Sequence, residues 1–245
     1  MLITLEGPDG AGKSTQLRLL GEALTQRGYD PLFTREPGGC PIAEAVRDLL
    51  LDPQNADMAP QTEMLLYAAA RAQHVRQVIR PALDAGRIVV CDRFLHSSLA
   101  YQGYGRGLGE EQVRAVNAPA LDGLEPDLIL YFRLPEGVGL ARKRADAPLD
   151  RIEREDKHWK LSTADMKERA LWAEYDAAYE DCINATATEH APWYVLPADD
   201  KWYTRYLVSE ILLDTLTEMK PEFPPLSATE MALVPSVKAE LESGK

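Results

Sequence analysis

At 245 residues the chain is long enough to bury a substantial core, as one large domain or two small ones. Its 45% hydrophobic and 27% charged residues are ordinary for a globular protein, and no apolar run approaches the ~18 residues that span a bilayer. A formal net charge of −12 excludes a broad basic surface for wrapping duplex DNA or RNA, so an anion must be held in a local pocket and single Arg and Lys positions become informative.

The first residues carry neither a basic segment nor a cleavage site, which predicts a strand at once rather than a signal peptide, and a cytoplasmic protein. That strand is Leu2–Glu6. Residues 14–26 follow as a helix with Leu17, Leu19, Leu20 and Leu24 on its apolar face, stopped by Gly28. Leu32–Arg35 reads as a second strand, residues 42–51 as a helix ended by Asp52-Pro53, and 61–85 as one long Ala-rich helix ending at Gly86. A third strand is expected over 88–92 and a fourth over 128–134, with helices over 109–117 and 137–144. A capping pattern at Ser162 and Asp165 opens a helix over 162–187, a fifth strand covers 193–196, and a helix covers 201–217. After Met219, Pro221, Pro224 and Pro225 mark an extended tail with a loose helix near 237–241. Strand and helix alternate, which predicts an α/β fold with helices on both faces of a parallel sheet. Cys40, Cys91 and Cys182 form no CxxC pair and no metal spacing with the four histidines, so reduced, mostly buried thiols are expected.

The segment Gly7-Pro8-Asp9-Gly10-Ala11-Gly12-Lys13-Ser14 fits G-x-x-x-x-G-K-[ST] between a strand and a helix. Its glycines let the backbone curl so that consecutive N–H groups, Ala11 included, face phosphates. The helix N-terminus adds a positive dipole end. Lys13 brings a charge to the β- and γ-phosphates of a nucleoside triphosphate, and Ser14 a hydroxyl to Mg²⁺. By itself such a loop does not separate kinase from GTPase or ATPase. A chance Gly-rich turn is the bland alternative, and the complete pattern with both flanks argues against it.

Beyond that loop the chain contains Thr34-Arg35-Glu36-Pro37-Gly38-Gly39, Leu66-Tyr67-Ala68-Ala69-Ala70-Arg71, Asp92-Arg93-Phe94 and Ser97-Ser98-Leu99-Ala100-Tyr101-Gln102-Gly103. With the phosphate loop, these motifs resemble thymidylate kinase in order and spacing, from residue 1 to about 153. Asp92 ends a buried strand, where α/β proteins place ligands, and can hold the water shell of Mg²⁺. Arg93 can clamp a phosphate bidentately. A structural ion pair between these neighbours is the plainer reading, and the strand-end position favours function. Tyr67 and Arg71 are four apart on one helix, which on spacing alone is an ordinary amphipathic helix. The resemblance implies that Tyr67 stacks on thymine and Arg71 bonds its edge. It also implies that Asp9 lies near the 3′-hydroxyl of dTMP, and that Arg35 and Glu36 surround the acceptor phosphate and Mg²⁺. Ser97, Ser98, Tyr101 and Gln102 would line base and sugar, with Tyr101 placed to exclude a ribose 2′-hydroxyl. His74 and His96 read as surface or supporting residues rather than catalysts.

Phosphoryl transfer needs positioning and charge neutralisation, and this phosphate loop contains no Arg. Arg142, Arg144, Arg151 and Arg154 lie in a polar segment interrupted by Pro148, which resembles the mobile lid of thymidylate kinases lacking a loop arginine. Arg151 is the leading catalytic candidate, beside Lys13, Arg93 and Asp9. A solvated charged helix is an even alternative for each arginine taken singly.

After Glu153 the resemblance changes. Lys157-His158-Trp159-Lys160-Leu161-Ser162, the run from Trp172 to Glu180, Ala191-Pro192-Trp193-Tyr194-Val195 and Ala198-Asp199-Asp200-Lys201-Trp202 are similar to the C-terminal part of family-2 polyphosphate kinases. All four tryptophans, Trp159, Trp172, Trp193 and Trp202, lie in this half. The expectation is a chimera: one P-loop kinase domain over 1–220, thymidylate kinase-like over 1–153 and polyphosphate kinase-like over 154–220, with a lid at about 142–160 and a tail over 221–245. The fold implied is a three-layer α/β/α sandwich on a five-stranded parallel sheet. The activity implied is Mg²⁺-dependent transfer of the γ-phosphate of ATP to dTMP, without nucleic acid or membrane, by a homodimer. The alternatives are a polyphosphate-dependent nucleotide kinase and a nucleotide-binding chimera with little turnover.

Overall fold

The computed structural model describes residues 1–134 and 172–219, with Pro235 alone beyond them. Five parallel strands form one sheet in the order β2-β3-β1-β4-β5. They are β1 (Leu2–Glu6), β2 (Leu32–Arg35), β3 (Val89–Asp92), β4 (Leu128–Arg133) and β5 (Trp193–Pro197). The central strand is buried at every residue, as expected for a parallel strand covered on both sides. Its register sets Leu5 opposite Asp92 on one side and Glu6 opposite Tyr131 on the other, while Arg35 lies opposite Asp92. The carboxyl ends of β1, β2 and β3 therefore bring Glu6, Arg35 and Asp92 to one edge of the sheet.

Alternation along the strands divides the core into two layers. On one face Ile3, Leu5, Val90, Leu128, Leu130, Phe132 and Leu196 pack against α1 (Lys13–Gln26) and α8 (Lys201–Met219). Helix α1 contributes Leu20 and Leu24, and α8 contributes Val208, Leu212 and Leu216, a stripe four residues apart. On the other face Leu2, Val89 and Cys91 meet Met64, Val75, Ile79, Phe94, Leu99, Val113 and Cys182. These come from α3 (Pro60–His74) and its continuation, from the segment after β3, from α6 (Glu110–Leu121) and from α7 (Trp172–Thr186). The layers and the five-stranded parallel sheet match the expectation, and all three cysteines are buried and unpaired.

Helix α2 (Pro41–Leu51) packs on α3. The single helix expected over 61–85 is α3, a wide five-residue turn Val75–Ile79, and a short α4 (Arg80–Asp84). Pro81 has no amide hydrogen, so a regular ladder cannot run through this point. No helix was expected just after β3, yet α5 (Leu95–Ser98) runs into a wide turn Leu99–Gly105. Two glycines and two serines weaken local propensity there, and the burial of Leu95, Leu99 and Ala100 overrides it. Helix α6 runs past Pro119 to Leu121 and stops at Asp122 and Gly123, both with positive φ. His74 and His96 are buried rather than on the surface. The helix expected over 137–144, the capped start at Ser162 and the loose tail helix lie outside the described residues.

Candidate active site

The loop after β1 opens with Gly7 at φ 131°, where an added Cβ would lie 2.6 Å from the Phe132 carbonyl oxygen. Only glycine lets the loop leave the sheet so close to β4. Gly10 and Gly12 are also left-handed, at φ 82° and 97°, and Gly12 directly precedes α1. This turns the chain so that α1 presents its amino end to the loop. Lys13 folds back under it: its Nζ donates to the carbonyls of Gly7 at 2.9 Å and Pro8 at 3.2 Å. It lies 3.9 Å from Asp92 Oδ1. Burial, and then the neighbouring Arg93, push the Lys13 ammonium down to about 8. Ser14, next along, is exposed.

Arg93 follows Asp92 with a left-handed backbone, φ 70°, and its amide donates to the Leu5 carbonyl at 2.9 Å. A non-glycine residue held there costs of order 1–3 kcal/mol and persists only where its surroundings hold it. Here the guanidinium donates to Asp9 Oδ1 at 2.8 Å, Ser97 Oγ at 3.2 Å and Tyr101 Oη at 3.4 Å, and lies 5.3 Å over the Tyr101 ring. Asp92 Oδ1 is buried and carries no hydrogen bond. A buried carboxylate oxygen without a hydrogen bond, 3.9 Å from Lys13, and the exposed hydroxyl of Ser14 in the first turn of α1 are hard oxygen donors of the kind that suit a hydrated divalent cation, so the residues fit Mg²⁺.

A second group lies behind the first. Arg71, 2% exposed, donates from Nε to Glu36 Oε2 at 2.8 Å, from one terminal nitrogen to Ser98 Oγ at 3.1 Å, and from the other to Asn117 Oδ1. It also sits 5.4 Å over the Phe94 ring. Glu36 Oε1 contacts His74 Nδ1 at 3.1 Å, and His74 Nε2 contacts Thr34 Oγ1 at 2.6 Å. His96 is held neutral by burial, pushed down to about 3, with its ring edge-on to Trp193. Gln102 donates to Glu63 Oε1 at 2.6 Å. Tyr67 is half-buried on α3, one turn before Arg71, and burial raises its phenol above its ordinary range.

Thus Lys13, Asp92, Arg93, Asp9, Ser97 and Tyr101 form one contacting group, and Arg71, Glu36 and Ser98 another, joined through the adjacent serines. Arg35 is exposed and pairs with Glu44 of α2 at 2.9 Å, apart from both. Arg151 lies outside the described residues. Sequence reasoning missed Glu6, which is fully buried and accepts from the Phe94 amide at 2.9 Å, Ser97 Oγ at 2.6 Å and Tyr179 Oη at 3.4 Å. Burial raises its carboxyl above the usual range, and Ser97, the nearby Arg93 charge and the Phe94 amide oppose the rise. A charged residue closing a mostly apolar, fully buried strand was the available signal. Asn117 and Tyr179 were also missed as site residues: Asn117 carries no local motif, and the run from Trp172 to Glu180 that holds Tyr179 says nothing of its contact with Glu6.

The thymidylate kinase family model matches residues 5–178, and the polyphosphate kinase 2 model matches residues 142–224. Thymidylate kinase of an Exiguobacterium species is 54% identical over 156 residues, 64% of this chain and 74% of its own length. That of Finegoldia magna is 54% identical over 155 residues, 63% of this chain and 76% of its own length. Among solved structures, thymidylate kinase from Ehrlichia chaffeensis superposes with a TM-score of 0.65 at 28% identity, covering 87% of this chain and 98% of its own.

Two outcomes follow from the geometry. Arg71→Ala leaves the Glu36 carboxylate buried without its cation, and chemical denaturation should register a loss of about 3–5 kcal/mol. A variant as stable as the parent would refute the buried network. Lys13, depressed to about 8, is largely neutral in the free protein between about pH 8 and its ordinary 10.5. Bound phosphates restore its charge, so nucleotide binding at pH 9 should take up a proton, while binding at pH 7 takes up none at this site. Calorimetry in two buffers of different ionisation enthalpy reads this directly, and uptake equal at both pH values counts against it.

Proposed function

The chain belongs to the thymidylate kinase family, and we propose that it transfers the γ-phosphate of ATP to dTMP, giving dTDP. The observation that carries this reading is the contact group joining the phosphate loop, through Lys13, to Asp92, Arg93, Asp9 and Tyr101. In this reading the backbone of Gly7, Gly10, Ala11 and Gly12 and the amino end of α1 cradle the donor phosphates. Lys13 neutralises charge on the transferring group, and its withdrawn position under the loop keeps it from binding bulk anions. Arg93 meets the acceptor phosphate from the other side. Its pairing with Asp9 fixes the guanidinium plane while leaving a further edge to bind. Arg35 turns from Glu44 toward the same phosphate. Ser14 and Asp92 would hold Mg²⁺, which supplies neutralisation of the phosphate oxygens when bound. Tyr67 supplies a face for the base, Arg71 and Gln102 hydrogen bonds at its edge, Ser97 and Ser98 the wall, and Glu36 the partner that orients Arg71. Arg151 is assigned to the lid from sequence alone.

Transfer of this kind relies on alignment and charge rather than on a strong base. The buried, mutually braced Arg93 and Lys13 suit it. One domain over 1–220 is part of the proposal, supported by the pairing of β5 with β4 from Ile129↔Trp193 to Arg133↔Pro197. Free buried thiols at Cys40, Cys91 and Cys182 suit the reducing cytoplasm. No described helix is long and apolar enough to cross a membrane. The polyphosphate kinase 2 match over 142–224 favours one alternative, polyphosphate as donor.

The purified chain with dTMP should turn over with Mg-ATP, and Lys13→Ala should lose at least about a hundredfold in rate. Turnover with polyphosphate alone would move the donor assignment to the alternative. A homodimer is proposed on the exposed apolar residues of the α2 and α3 layer: Ile42 at 58%, Leu49 at 52%, Leu51 at 54% and Leu65 at 55%. Sedimentation should show a dimer that Leu49→Glu with Leu65→Glu converts to monomer. A monomeric parent would overturn that assignment.

A further inference from the structure

Helix α7 reaches the acceptor side of the site with two aromatic side chains that the proposed chemistry does not use. Tyr175 packs on Tyr101 with ring centroids 4.6 Å apart and planes tilted 53°. Tyr179 meets the same ring edge-on, 6.4 Å away at 88°, and stacks on Tyr131 at 4.5 Å and 25°. Its hydroxyl donates to Glu6 Oε2 at 3.4 Å. Both are buried, at 9% and 1% exposure. The approach of α7 is as close as the backbone permits: a Cβ on Gly105 would lie 2.6 Å from Tyr175 Cε1. Between them Asp176 accepts from Tyr131 Oη at 3.2 Å and from Arg133 at 2.8 Å, which ties the helix to β4. One face of α7 therefore spans the strand ends and the acceptor cluster.

Tyr101 is the ring beneath the Arg93 guanidinium, and its hydroxyl is one of three oxygens that guanidinium touches. Asp9 holds one edge of the guanidinium at 2.8 Å, while the hydrogen bonds to Ser97 and Tyr101, at 3.2 and 3.4 Å, are long, so on that side the Tyr101 ring beneath it is the main support. A tyrosine freed on one side regains its rotamers and withdraws that support from the guanidinium. Tyr175 lies in the stretch matched by both family models, and Tyr179 only in the polyphosphate kinase 2 range.

We propose that Tyr175 and Tyr179 are positioning residues for the acceptor, holding Tyr101 and Glu6 so that Arg93 faces the acceptor phosphate. The C-terminal segment thereby sets acceptor use, although the residues that would touch the acceptor come from the N-terminal segment. This rests on the reading of Arg93 as the acceptor-phosphate cation.

Steady-state kinetics with the full chain tests it, varying dTMP and ATP separately. Tyr175→Leu keeps an apolar side chain and removes the ring, and should raise KM for dTMP about threefold to tenfold while KM for ATP stays within about twofold. Tyr175→Phe should restore parent values. Tyr101→Leu with Tyr175→Leu should be no worse than Tyr101→Leu alone, because the two act through one contact. Equal losses on both substrates, additive effects, or parent-like kinetics in Tyr175→Leu would overturn the inference. If Tyr175→Leu does not fold, Tyr179→Phe decides: it keeps the stack on Tyr131 and deletes the hydroxyl to Glu6. A twofold or greater rise in KM for dTMP, with ATP unaffected, supports the inference, and parent values refute it. Failure of the functional reading is separate, since the unchanged chain would then show no transfer to dTMP.

Discussion

The carboxylate of Glu6 is the point on which the site's geometry turns. It ends the central strand, is shut away from water, and has no cation in direct contact among the described residues. A buried carboxylate in that position must be satisfied by donors or remain protonated. It accepts from the Phe94 amide and the Ser97 hydroxyl, both in the turn after β3, and from Tyr179 of α7. These bonds lock the strand that launches the phosphate loop to the turn that carries Arg93. The left-handed backbone at Arg93 is affordable because the residues on both sides of it are held, Asp92 in the sheet and Phe94 by Glu6.

Around that anchor the chain solves the problem its charge poses. A protein with net charge −12 repels anions on average, yet the loop face brings Lys13 and Arg93 close enough for Arg93 to depress the Lys13 ammonium. Each is held by oxygens that do not neutralise it fully: backbone carbonyls for Lys13, one carboxylate and two hydroxyls for Arg93. Burial, and then repulsion from Arg93, lower the Lys13 ammonium. Arg71 is treated differently. Its partner Glu36 is equally buried, and Asn117 and Ser98 take further N–H groups, so this arginine cross-links the segment after β2, α3, α5 and α6.

The two resemblances meet in one core. Phe132 of β4 and Leu196 of β5 share a layer with Leu20 of α1 and Leu212 of α8, so segments matched by different family models bury the same apolar surface. On the opposite face Cys182 of α7 packs with Val89 and Leu99. Shared sheet architecture makes this joining feasible, because a parallel strand added at the edge needs only backbone partners and an apolar face.

Much of this was legible in the sequence, for a physical reason. Strands β1 to β5, helices α1 and α8 and the phosphate loop are written in short windows: apolar runs, helical periodicity, glycines where φ must be positive. The roles of Tyr67 and Arg71 came from family resemblance, since their spacing alone says only that they share a helix face. What tertiary structure decided is which distant residues meet. No window around Arg71 shows that Glu36, Ser98 and Asn117 surround it, and Glu6 and Tyr179 are 173 residues apart. The helix after β3 forms against weak local propensity because its apolar residues reach the core. Backbone rules act between neighbours and can be read along the chain, whereas burial, which raises the Glu6 carboxyl and lowers the Lys13 ammonium, belongs to the packed whole.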